Sequence, residues 1–368
     1  MAVPSPLKVA DPIILCKCRF NECPEDSGVS CCRARNGQGV GRTMQILVTG
    51  ATGLLGNNVV RELLARQIRP RVLVRETSDP RPLEGLEVDL VYGDIRDAAA
   101  VEAACQGVDV AVHAAGYVKI GWSDRELHQA INVDGARNVA TAIHQQKGRL
   151  VHVSTVNTLG VAAPNQVADE ESIKQPILLC PYVESKRTAE DEIRQLVEEG
   201  LDAVIVQPAF MLGPWDWKPS SGAMLLEVAR RFMPFAPRGA MSLCDARDVA
   251  QGILAAIDRG TCGRNYILAG HNMSYLESWQ LFAKITGTRA PWMRAGPLGV
   301  RGVGIMNDLI AKITGRESEL NSAATRLSGM FHCFSSERAQ TELGYQIRAV
   351  DTIVEDAWQW FCDHGYVS

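Results

Sequence analysis

The feature that most constrains this chain is a run of glycines three apart, Gly50-Ala51-Thr52-Gly53-Leu54-Leu55-Gly56, entered from the apolar stretch Ile46-Leu47-Val48. Glycine permits turns and close backbone approaches that a Cβ forbids. A strand that feeds such a turn into a helical stretch, here residues 57–67, aims unpaired N–H groups and a positive helix end at one point. A pyrophosphate can sit there, and the fold expected around it is α/β.

A second element lies far downstream. Tyr182-Val183-Glu184-Ser185-Lys186 sets a phenol and an ammonium four residues apart, on one face of a helix. The cation there favours tyrosinate and makes the phenol a usable acid or base.

From Met44 onward short apolar runs alternate with amphipathic stretches, the signature of a doubly wound parallel sheet. Strands are expected at 45–49, 71–75, 87–92, 109–113, 149–154 and 202–207. The longest helices are expected at 123–146 and 180–199. Beyond Pro208 the alternation loosens into loops bearing Trp, Pro and Gly, which read as a substrate lobe. The apolar segment 297–313 reads as a buried helix of that lobe, with a lid skimming a membrane as the alternative.

Charge narrows the partners. The 368 residues are 46 % apolar and 22 % charged with a net charge of −4, which gives no electrostatic reason to expect nucleic acid or an anionic membrane as the main partner. No run reaches the length of a membrane span. A small-molecule partner is expected, without stable membrane insertion.

Five of the eleven cysteines, Cys16, Cys18, Cys23, Cys31 and Cys32, fall in the first 43 residues. Neither CxxC spacing nor histidine accompanies them, so no metal site is assigned. Pro12-Ile13-Ile14-Leu15 is too short for the apolar core of a signal peptide. Residues 1–43 read as a disordered extension, or as the product of an upstream start with Met44 the first residue. The six dispersed cysteines of the remainder suggest a reducing cytoplasm.

The GxxGxxG ladder joined to Tyr-x-x-x-Lys resembles the extended short-chain dehydrogenase/reductases, the NAD-dependent epimerase/dehydratase superfamily, from about Met44 to the C-terminus. That resemblance implies a Rossmann-type nucleotide domain at 44–213 and a smaller substrate lobe at 214–368, with 241–257 returning to the nucleotide domain. It implies cofactor contacts from Gly50, Thr52, Gly53, Leu54, Leu55 and Gly56. Asp94 and Ile95 would follow at the adenine, His113, Ala114 and Ala115 at the riboses, and Pro208 and Ala209 beneath the nicotinamide. Gln207 stands where an arginine is common. Asn132 would brace the active-site strands, and a family tendency to dimers makes a homodimer possible.

Arg75 closes the second strand, where an acidic residue would otherwise hold the adenosine ribose. A guanidinium there suits a 2′-phosphate, which favours NADP(H) over NAD(H). The alternative is a surface pair with the adjacent Glu76. Aligning Leu159-Gly160 with the Tyr-Gly of the family puts Thr155 at the hydroxyl position, while Ser154 faces the other way by strand alternation. Tyr182 would then exchange a proton with the substrate oxygen, and Lys186 would hold the nicotinamide ribose. A free phenol titrates near ~10, so reaching about 7 requires roughly 4 kcal/mol of preference for the anion. One ammonium and the positive nicotinamide are of the right order. Tyr117, Trp122, Trp215 and Trp217 are expected on loops at the sheet's carboxyl edge, either lining a pocket or packing the lobe.

Arg71 to Arg75, Gly263 to Leu268, Ser335 to Ala339 and Glu342 to Tyr345 resemble the dihydroflavonol-4-reductase-like and hopanoid-associated sugar epimerase groups. The reaction implied first is NADP(H)-dependent reduction of a fairly apolar ketone or aldehyde. The second is a nucleotide-sugar epimerase or dehydratase with tightly held NAD, which Arg294, Arg301 and Lys312 keep open. A non-catalytic NAD(P)-sensing protein is the third.

Overall fold

The computed structural model describes residues 44–164, 166–172 and 178–367; the cysteine-rich leader and the expectations attached to it lie outside them. The architecture follows from strands that are apolar on both sides. In β1 (Ile46–Thr49) Ile46 and Val48 enter one core and Leu47 the other. In β2 (Arg71–Val74) Val72 and Val74 oppose Leu73 in the same way. Strands of this kind must be covered on two faces, which selects a parallel sheet between helical layers.

The sheet continues with β3 (Asp89–Tyr92), β4 (Val110–His113), β5 (Arg149–Val153) and β6 (Asp202–Pro208). Later strands are β7 (Phe210–Leu212), β8 (Phe235–Ala236), β9 (Ala240–Asp245), β10 (Asn265–Leu268), β11 (His271–Ser274) and β12 (Met293–Arg294). Seven of them form the main sheet in the order β3-β2-β1-β4-β5-β6-β10, with parallel pairing throughout. The winding reverses between β1 and β4. A crevice therefore opens beyond their carboxyl ends.

The helices that bear on the sheet are α1 (Leu54–Ala65), α2 (Ala98–Cys105), α3 (Arg125–His128), α4 (Gly135–Gln145) and α5 (Pro181–Glu198). They are followed by α6 (Gly222–Arg230), α7 (Ala246–Arg259), α8 (Tyr275–Thr286), α9 (Pro297–Thr314), α10 (Ser322–Leu327) and α11 (Val350–Asp363). One face of the sheet packs on α1 and α7 through Val59, Leu63, Val249 and Ile253. The other packs on α2, α4 and α5 through Val101, Val139, Ile143 and Ile193.

Three elements differ from expectation. The helix expected at 123–146 is α3 and α4 joined by a π-helical turn, Gln129–Asp134, whose wider coil carries Asn132 into the interior. In the return segment, α7 lies against α1 but β9 joins β7 and β11 in a separate sheet, and β10 completes the main one. The segment 297–313 is not buried: in α9 the side chains of Ile305, Met306, Leu309 and Ile313 are exposed. The inward side of α9 is the one bearing Gly304, where a Cβ would sit 2.4 Å from Thr325 Oγ1 of α10. Close packing selects the narrow side and leaves the bulky one outside.

The glycine ladder is held by the same kind of contact. A Cβ on Gly56 would lie 2.2 Å from the Gly50 carbonyl oxygen. Gly56→Ala is therefore expected to lower the unfolding free energy by roughly 1–3 kcal/mol, in the range of overpacking changes. Urea titration checks this as a lower midpoint at unchanged slope; an unmoved midpoint would show that the turn relaxes freely.

Candidate active site

Gly50 leaves β1 at φ +75°, and a Cβ there would meet Ala115 N at 2.5 Å and Ala114 C at 2.6 Å. The turn thus lies directly on the chain that leaves β4. Gly53 donates its N–H to Gly50 O at 3.0 Å and caps α1 with no side chain, and no acid stands in the first turn. The N–H groups at that helix end are left for an anion. Gly53 is exposed while Leu54, Leu55 and Gly56 are buried behind it, with Thr52 half-buried at the rim. A glycine cradle of this shape fits a dinucleotide pyrophosphate.

Two buried asparagines hold the cradle. Asn57 Nδ2 donates to Pro82 O at 2.6 Å and Ala51 O at 3.2 Å, and Asn58 Nδ2 donates to Pro214 O at 3.1 Å. Neither stands out in the sequence, because a mid-helix asparagine usually signals only a weaker helix.

At the ends of β2 and β3, Arg75 is exposed and has no ion-pair partner among the described residues, so the expected alternative pair with Glu76 does not form. Asp94 is claimed by Arg96, which gives it a 2.7 Å ion pair and a backbone N–H at 2.9 Å and holds its carboxyl below the usual range. Asp97 caps α2. The Ile95 carbonyl accepts from Asn138 Nδ2 at 2.9 Å. His113 turns away from the crevice: its Nδ1 meets Thr49 Oγ1 at 2.8 Å, its ring stacks on His152 at 5.5 Å, and burial pushes it down to about 3. Only the backbone of Ala114 and Ala115 borders the cradle there.

Thr155 and Tyr182 come together at the carboxyl end of β5. Both are buried, and the Thr155 side chain lies close enough to draw on the Tyr182 phenol. Lys186, one turn along α5, is also buried and donates from Nζ to Val153 O at 2.7 Å. The acidification expected with a positive nicotinamide alongside concerns the loaded site; in the protein alone, burial sets the shifts of both groups. Burial pushes Tyr182 up to about 12, against the pull of Thr155, and pushes Lys186 down to about 8, against the pull of Glu190. Loss of hydration dominates both shifts, and the ammonium is satisfied by the Val153 carbonyl rather than by the phenol.

Residues 46–269, from β1 to the end of β10, match the family model described as NAD dependent epimerase/dehydratase family. The chain belongs to that family. A Synechocystis protein provisionally named a dihydroflavonol 4-reductase is 35 % identical over 335 residues, 87 % of this chain and 95 % of that one. Sterol demethylase protein B of Methylococcus capsulatus is 32 % identical over 330 residues, 88 % of this chain and 100 % of that one. The crystal structure of gox2253 is similar at a TM-score of 0.78 and 32 % identity, covering 89 % of this chain and 100 % of that one. The resemblance to extended short-chain dehydrogenase/reductases, and the Rossmann-type sheet it implies, are borne out.

In this epimerase/dehydratase-family chain a buried carboxylate that sequence reasoning passed over supports the site. Glu190 Oε1 accepts from Ser154 Oγ at 2.5 Å, Thr158 Oγ1 at 2.7 Å and Gln207 Nε2 at 2.9 Å; Arg194 reaches Oε2 at 2.7 Å. Ser154 thus faces away from Thr155, as alternation requires. Gln207 serves this network, with Asn265 Nδ2 on its own oxygen at 2.8 Å. The signal that could have found Glu190 is its spacing: it follows Tyr182 and Lys186 by eight and four residues, on the face of α5 that must be buried.

Asn132 does brace the site. Its Oδ1 accepts from Tyr117 N at 2.7 Å, and its Nδ2 donates to Tyr117 O at 2.9 Å and Ser185 Oγ at 3.0 Å. His128 lies between Tyr117 and Tyr182, with ring centroids 4.7 and 6.2 Å away. Pro208 is buried in β6 opposite Leu268, and Ala209 donates its N–H to Leu268 O at 3.2 Å. Of the four aromatics expected near the crevice, Trp215 and Trp217 instead pack on Trp360 of α11. Trp122 is tied to Ser322 of α10 through Nε1 at 2.8 Å.

Glu190→Ala would strand several buried donors at once. It is expected to cost about 1–3 kcal/mol of stability, the penalty of unsatisfied buried groups. Chemical unfolding tests this; a cost within a few tenths would mean that the network carries no net stability.

Proposed function

We propose that this chain is an NADP(H)-dependent oxidoreductase that reduces a ketone or aldehyde of a small, largely apolar substrate. The observation that carries the reading is the burial of the Tyr182 phenol one helical turn from Lys186 and beside the end of β5 that bears Thr155, inside an apolar cluster with Cys180, Val183, Ala323 and Leu327. The dinucleotide, when bound, supplies the hydride. Thr155 donates a hydrogen bond to the substrate oxygen as charge develops there. Tyr182 gives that oxygen its proton. A phenol held at about 12 stays protonated at neutral pH, the state that a proton donor needs. Lys186, four residues on, stabilises the tyrosinate that is left and holds the ribose hydroxyls.

Other features support the same reading. Arg75 offers an unpaired guanidinium at the end of β2, suited to a 2′-phosphate. The two relatives carry names that speak of a dihydroflavonol and a sterol, both polycyclic. The cations once weighed toward a sugar diphosphate, Arg294, Arg301 and Lys312, are all exposed.

Tyr182→Phe is expected to bind NADPH as the parent does and to lose turnover by at least about 100-fold, the low end for a general acid. Undiminished turnover would exclude the phenol. Reduction requires the protonated phenol, so its rate should hold from neutral to alkaline pH and fall only as the phenol titrates. Oxidation of the alcohol requires tyrosinate and should rise with pH over the same interval. A reduction rate already falling through pH ~7 would show that in the loaded site the phenol is drawn down toward neutrality.

Arg75→Ala is expected to weaken NADPH by about 10-fold or more while leaving NADH nearly unchanged, the scale of a charge-assisted contact. Equal loss for both cofactors would remove the 2′-phosphate role. Denaturing the purified protein separates the epimerase alternative, which predicts stoichiometric release of NAD⁺.

A further inference from the structure

We infer that the outer face of α9 docks the protein on an anionic lipid surface. At about 100° per residue, Val303, Ile305, Met306, Leu309, Ile310 and Ile313 share one continuous arc about 160° wide. All six are exposed, Ile313 to 86 %. An apolar arc of this width normally faces a core, yet here the core side of the helix is the opposite one, where Gly304 packs on α10.

The charges around the arc decide what covers it. From Arg289 to Arg316 there are five cations and one carboxylate, Asp308, in a chain whose net charge is −4. Asp308 turns inward and accepts from Ser322 N at 3.0 Å. Arg301 and Lys312 fall beside each other on one flank of the arc, at about 160–180° when Val303 is set to zero. The whole-chain charge hides this local reversal of sign. A protein partner recognised by such a surface would have to be apolar and acidic together, whereas a bilayer containing anionic lipid presents that combination everywhere.

The surface extends past the helix. Two residues before α9, β12 pairs Met293 with Phe235 of β8, and Trp292 lies 5.3 Å from Phe232 with Arg289 over both rings. All four apolar residues are exposed. Aromatic rings mixed with arginine are what the headgroup region favours. No helix among the described residues is long and apolar enough to cross a membrane, so α9 lies along the surface. Its inward neighbour α10 supplies Ala323 and Leu327 to the cluster around Tyr182. A docked α9 would therefore bring that site close to the lipid phase.

Flotation of the full chain with phosphatidylcholine vesicles, with and without phosphatidylglycerol, tests this independently of any turnover, so its failure would leave the reductase reading intact. The expected result is binding to the mixed vesicles that weakens on pure phosphatidylcholine and at high salt. Leu309→Asn with Ile313→Asn should reduce binding about tenfold or more at an unchanged thermal midpoint, since both side chains are already in water. Arg301→Gln with Lys312→Gln should lower binding to the anionic vesicles alone. Failure of the parent protein to float with either vesicle would overturn the proposal, as would equal flotation of the Asn variant. Light scattering that finds a dimer which the Asn variant converts to monomer would also overturn it, by making this face a subunit interface.

Discussion

The arrangement depends on two stretches of backbone that meet with no side chain between them. Gly50 rests on the chain leaving β4 at Ala114 and Ala115, and Gly56 rests on Gly50, at separations where any Cβ would collide. That contact seats the first turn of α1 at the point where the order of the sheet reverses. Everything at the crevice takes its position from it: the bare helix end on one side, and the ends of β5 and β6, with the buried hydroxyls, on the other. Asn57 and Asn58 add a polar lock from inside the helix, reaching loops that sequence distance alone would never join to it.

Behind the crevice the chain solves a different problem, that of keeping ionisable groups dry. Lys186 donates its ammonium to the Val153 carbonyl, while burial lowers its affinity for protons. Glu190 is tolerated because Ser154, Thr158, Gln207 and Arg194 all point donors at it. An isolated charge in that position would be expensive, while one with four donors ties β5, α5 and β6 together. The order of the strand ends, and hence the facing of Thr155 toward Tyr182, follows from that tie.

Much of this could be read before folding. The six strands before β7 follow from short apolar runs set between amphipathic stretches, and the cradle follows from glycine spacing, since both are local. Alternation alone separated Thr155 from Ser154, and helical spacing alone put Tyr182 with Lys186. Four features could not be read this way. The dryness of the phenol's surroundings depends on α10, which comes from the far end of the chain. His113 could be read as a rim residue or as a satisfied histidine near the core, and the second holds because its partner Thr49 lies on the neighbouring strand. Gln207 looked like a worn arginine but belongs to a network whose centre is on another element. The apolar segment at 297–313 looked like core, because composition counts side chains without saying which side of a helix finds room.

By itself, then, the sequence determined the strands, the cradle and the placing of phenol and amine on one face of α5, because each rests on neighbours within a few residues along one strand or helix. Tertiary structure decided which ionisable groups are dehydrated, which donors satisfy Glu190 and which face of α9 is left in water. Those outcomes depend on what is packed across from each group, and packing is set by the shape of surfaces that are distant in the chain.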